Sequence, residues 1–68
     1  MKVSARNQLA GKVVSIHAGE AIANVELEVA GQRLVASITV EAVEDLGLTE
    51  GREVFAVIKA SDVMVGIE

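Results

Sequence analysis

Cysteine, proline, tryptophan and tyrosine are all missing from this 68-residue chain, which holds one phenylalanine and one histidine. Without cysteine there is no disulfide framework. With His17 as the only imidazole, a metal centre has no second nitrogen or sulfur ligand, so His17 reads as a strand-end or turn residue. Phe55 is the only ring, so the stacking platform of a single-strand nucleic-acid binder is missing. Ten acids against six bases give a net charge of −4, which argues against general nucleic-acid binding, since that depends on neutralising phosphates. A local cluster of cations can still be positive inside an acidic shell. The six glycines are isolated and form no phosphate-cradling loop. No run approaches the roughly 18 apolar residues of a membrane span. Met1-Lys2 leads into a polar run rather than a signal peptide. The expectation is a cytoplasmic protein with no membrane partner. No catalytic triad or acid–base pair can be assembled from what remains, and the chain reads as no enzyme.

What is there is apolar. Hydrophobic residues make up 51% of the chain, a rich proportion for one small domain, 1–68, with little volume beneath its surface. With disulfides and metal removed as staples, association is the remaining route to sufficient burial. An obligate oligomer is expected, its interfaces acting as additional core.

Glycine and charge divide the chain into short runs. Gln8 to His17 reads as a strand rich in β-branched residues. After an Ala18-Gly19-Glu20 turn, Ala23, Val25, Leu27 and Val29 alternate with Asn24, Glu26 and Glu28, a strand with one buried and one wet face. Ala30-Gly31-Gln32 makes the next turn. Arg33 to Thr39 follows as a strand with Leu34, Ala36 and Ile38 inward. The period then changes. Thr39 is placed to cap a short helix carrying Glu41, Glu44 and Asp45, and Gly47 to end it. Glu53 to Ala60 is a long strand apolar on both faces, and Val63 to Ile67 reads as a last short strand suited to pairing with another subunit. The fold expected is all-β: a small OB-like barrel of about five antiparallel strands with one short helix.

Chemistry concentrates at the start. Ser4-Ala5-Arg6-Asn7-Gln8 sets a hydroxyl, a guanidinium and two amides directly before a strand, a compact group of donors of the kind that holds an oxyanion. Lys59 is a second cation, at the end of the last long strand. Read alone, it is as readily a snorkelling lysine, and Arg6 alone a solvated terminal charge. Together with Ser4, Asn7, Ser37 and Thr39 they form a donor-rich set.

The run Ser4-Ala5-Arg6-Asn7-Gln8-Leu9-x-Gly11, the Ser37-Ile38-Thr39 step, Leu46-Gly47-Leu48-x-x-Gly51, Val57-Ile58-Lys59-Ala60 and the later Val65-Gly66 occur in the order seen in molbindins. The chain resembles these small Mop domains, molybdate-binding and of the TOBE type, along essentially its whole length. The resemblance implies a barrel that exchanges strands into dimers and assembles as a homo-hexamer, a trimer of dimers. It implies molybdate or tungstate held as an oxyanion at subunit interfaces, with no direct protein–metal bond. Carried over residue by residue, the interface site is Ser4, the backbone N–H of Ala5, Arg6, Thr39 and Lys59, contributed by different subunits. Ala42 departs from the pattern, since some related domains place a further hydroxyl in its segment. A second class of site near the three-fold axis falls loosely around Ala18 to Asn24. The implied role is storage, homeostasis or delivery of the ion. The alternative is a non-catalytic structural or interaction module without an anion ligand.

Overall fold

The computed structural model describes residues 1–68. It contains β1 (Asn7–Ala18), β2 (Ile22–Val29), β3 (Gln32–Thr39), α1 (Val40–Leu46), β4 (Glu53–Ile58) and a 3₁₀ turn at Ala60–Asp62. The strands form one antiparallel sheet in the order β3-β2-β1-β4, with the helix between the last two strands in chain order. This is an OB-like arrangement.

The architecture depends on β1 serving two partners. Its first half pairs with β4, from Asn7↔Ile58 to Lys12↔Glu53, and its second half with β2, from Lys12↔Glu28 to Ala18↔Ala23. The change of partner falls at Gly11-Lys12. A Cβ at Gly11 would stand 2.6 Å from the Glu28 carbonyl oxygen, so only glycine lets the two backbones approach this closely. Just beyond, the ladder slips at Val14, a bulge that sharpens the bend. Val13 compensates by bonding the loop before β4, its N–H to the Arg52 carbonyl and its carbonyl from the Gly51 N–H.

β2 and β3 are joined by the two-residue turn Ala30-Gly31, with φ of 51° and 78°, the positive angles of a type I′ hairpin. At α1, the Ala42 N–H donates to Thr39 Oγ1 at 3.0 Å, the N-cap the sequence predicts. The helix ends in a Schellman motif: left-handed Gly47 donates to the Glu44 carbonyl and Leu48 to that of Val43.

Val13, Val25, Leu27 and Ala56 form the buried centre, with Ile16, Leu34, Ile38, Val43 and Leu48 half-buried around it. The inward and outward positions of β2 and β3 follow the alternation of the sequence.

Two expectations are corrected. There are four strands rather than about five, because Val63–Ile67 pairs with neither of the sheet's free edges. Met64, Val65 and Ile67 are each more than 90% exposed. β4 stops at Ile58 instead of Ala60, because Lys59 leads into the 3₁₀ turn, with the Asp62 N–H bonded to its carbonyl. The sheet is therefore open. Between the free edges of β3 and β4 runs a groove of about 420 Å³, lined by apolar side chains except at Ser37.

Candidate oxyanion site

The pairing of Asn7 with Ile58 is the last rung of the β1–β4 ladder. Arg6 and Lys59 lie one step outward from it, so the two cations flank the same strand end. Both are exposed, and neither has an acidic partner: the one ion pair of the chain joins Arg33 to Glu26 on the β2–β3 hairpin. The strand end thus carries two cations without an ion-pair partner on a chain of net charge −4.

The backbone around the two cations is held. Ala5 is buried at 8% exposure, the only such residue outside the strands. Its carbonyl accepts a hydrogen bond from Gln8 Nε2 at 3.2 Å, and the Ile58 carbonyl accepts one from Asn7 Nδ2 at 3.2 Å. Ser4, in the bend before β1, is exposed. Ser4, Ala5, Arg6 and Lys59 thus gather at one end of the sheet.

Thr39 does not join them. It pairs with Ile22 at the last rung of the β2–β3 ladder, beside the finish of β1, whereas Arg6 and Lys59 stand where β1 begins. The length of β1 separates the two groups. Within the chain the donor set is divided between opposite ends of the sheet. Ser37, opposite Asn24 in the same ladder, belongs with the groove rather than with the cations.

Thr39 has two hydrogen-bonding faces to use. Its oxygen accepts from the Ala42 N–H, which leaves the hydroxyl proton free to donate elsewhere. The same bond spends the Ala42 N–H on the cap. His17 is exposed and pairs with Asn24 near the end of β1. No group of three or more His, Cys, Asp or Glu side chains is arranged to hold a metal ion. No helix is long and apolar enough to cross a membrane.

The hydrogen bonds of Asn7 and Gln8 are the detail of this strand end that the sequence does not show. The residue types were visible as donors, but their partners are backbone carbonyls, which carry no residue-type signature.

The family model of the TOBE domain matches residues 3–65. Molybdenum-pterin-binding protein 3 of Clostridium pasteurianum is 53% identical over 66 residues, covering 96% of this chain and 97% of that protein. A probable molybdenum-pterin-binding protein of Haemophilus influenzae is 49% identical over 69 residues and the full length of both. The solved structure of a molybdate-binding protein from Sporomusa ovata superimposes with a TM-score of 0.94 at 39% identity, covering 98% of this chain and all of that one. By sequence and by fold alike, the chain belongs to the TOBE-domain family and is a domain of the molbindin (Mop) type.

Proposed function

We propose that this domain binds molybdate or tungstate in the cytoplasm, without catalysis, for storage, homeostasis or delivery of the ion. The observation that carries the reading is the pair of unpartnered cations, Arg6 and Lys59, on one strand end of a chain with net charge −4. A dianion placed between them converts repulsion into two charge-assisted hydrogen bonds. The names of the relatives, molybdenum-pterin-binding and molybdate-binding proteins, give the anion's identity.

The chemistry of the donors fits that ion. Ser4, the Ala5 N–H, Arg6, Thr39 and Lys59 can all donate, and a molybdate dianion only accepts. Hydrogen phosphate brings its own O–H, which finds no acceptor in such a site. An unpaired buried donor costs about 1–3 kcal/mol, enough for roughly tenfold or greater discrimination. Sulfate carries no proton and is rejected by its shorter bonds, which leave some donors out of reach. Tungstate, nearly the size of molybdate, is bound equally well.

The site closes between subunits. The divided donor set supports this: Thr39 of one protomer meets the Arg6–Lys59 end of another. The open groove between β3 and β4, together with the exposed apolar segment Val63–Ile67, supports strand exchange as the means. The assembly is a homo-hexamer, a trimer of dimers, and an anion bound only by the oligomer stabilises it by mass action.

Titration calorimetry of the assembled protein with molybdate and with sulfate tests the reading. A heat for molybdate that sulfate does not reproduce is expected. Equal or absent heats for both leave only a structural module. Arg6→Ala and Lys59→Ala are each expected to weaken molybdate binding by about one to two orders of magnitude while the oligomer persists. Normal binding by both variants would remove the site assignment.

A further inference from the structure

Apart from the Arg33–Glu26 pair on the hairpin, every side-chain hydrogen bond in the chain involves a residue of the proposed site or its immediate neighbour. Two of them share a geometry. Gln8 Nε2 donates to the carbonyl of Ala5, the residue before Arg6. Asn7 Nδ2 donates to the carbonyl of Ile58, the residue before Lys59. Each side chain therefore holds the peptide group that leads into one of the two cations.

A peptide group is planar, and all of those in this chain are trans. Its C=O and the N–H of the following residue point in opposite directions. Holding the Ala5 carbonyl fixes the direction of the Arg6 N–H, and holding the Ile58 carbonyl fixes that of Lys59. The clamps also fix where the two cationic side chains leave the main chain. The Gln8 bond closes the Ser4–Arg6 bend onto β1, and the Asn7 bond ties the start of β1 to the end of β4 just where regular pairing stops. Without them both cations would sit on fraying ends.

We infer that Asn7 and Gln8 are positioning residues for the oxyanion, each locking the peptide group that precedes a cation and so setting the size of ion the site accepts. The inference rests on the molybdate reading above. A site that excludes sulfate only because its donors fall short must hold those donors to within about 0.5 Å. Loosened donors follow the smaller ion inward, and the selectivity is lost before the affinity.

The test is Asn7→Ala and Gln8→Met in the assembled protein, each removing one clamping N–H. Titration calorimetry with sodium molybdate and with sodium sulfate gives the ratio of the two dissociation constants. Thermal melting without either anion reads stability separately. Each variant is expected to shrink the sulfate-to-molybdate ratio about tenfold, the low end for residues that support a binding shell, chiefly through tighter sulfate binding. Gln8 is exposed and its bond is local, so Gln8→Met is expected to melt like the parent. An unchanged ratio in both variants, or equal weakening for both anions alongside a lower melting temperature, makes the amides ordinary strand-end closures and overturns the inference. A parent protein that does not prefer molybdate to sulfate overturns the site reading and the clamp with it. A discriminating parent with equally discriminating variants overturns the clamp alone.

Discussion

β2 and β4 are both valine-rich strands packed on the same buried centre, yet only one of them is finished. In β2, Ala23, Val25 and Leu27 are at most 5% exposed, and the alternate positions are Asn24, Glu26 and Glu28. It has a strand on each side. In β4 the inward Val54 and Ala56 meet the core, but the outward face carries Phe55 at 60% exposure and Val57 at 44%, and one edge is free. The polar face of β2 is made for water. The outward face of β4 is apolar and uncovered. The difference separates the part of the core that one chain completes from the part that the proposed assembly would cover, and the proposed ligand site lies at the end of that second part.

The contrast breaks most sharply at Phe55. Burying a phenylalanine contributes about 2 kcal/mol or more, and a two-fold interface counts each change twice. Phe55→Asp is expected to raise the concentration at which the oligomer dissociates by at least roughly two orders of magnitude, read by sedimentation against protein concentration. Assembly indistinguishable from the parent would mean that the outward face of β4 faces solvent in the working molecule.

Val25 probes the other side. It is 1% exposed, and truncation leaves a cavity among Val13, Leu27 and Ala56. Val25→Ala is expected to lower unfolding stability by about 2 kcal/mol, measured by urea denaturation at several protein concentrations. Because the loss arises inside the protomer, the decrement should be the same at each concentration. A decrement that grows on dilution would place Val25 with the interface instead.

Local features were legible in the sequence because local physics decides them. The two-residue period of β2, the Thr39 cap and the Gly47 terminator each follow from residue type and spacing alone. Whatever depends on a distant partner was not legible. Val63–Ile67 has the composition of a strand, but a strand also needs a partner, and the segment pairs with neither free edge of the sheet. Gly11 looked like any isolated glycine until the approach of the Glu28 carbonyl gave it a reason. Arg6 and Lys59, 53 positions apart, are joined only by the antiparallel register of β1 and β4. The same register sends Thr39 to the far end, a separation that no motif order reveals.

The smallest expected effect lies on the finished side, at the hairpin that joins β2 to β3. Ala30 has φ of 51° at the first position of the turn, where a side chain with a Cβ is strained. The left-handed conformation costs an ordinary residue roughly 1 kcal/mol, and asparagine is favoured there because its short amide tolerates it. Ala30→Asn places the preferred Asn-Gly pair in the turn. It should stabilise the protein by about 0.5–1 kcal/mol, raising the melting temperature by roughly 2–8 °C for a domain of this size. Ala30 is exposed at the hairpin tip, in the turn itself rather than in a strand. The gain should therefore appear in folding while assembly and molybdate affinity stay as they were. A melting temperature that rises only together with tighter assembly would show that the β2–β3 hairpin also belongs to the part completed by another chain, and that the division drawn between β2 and β4 lies in the wrong place.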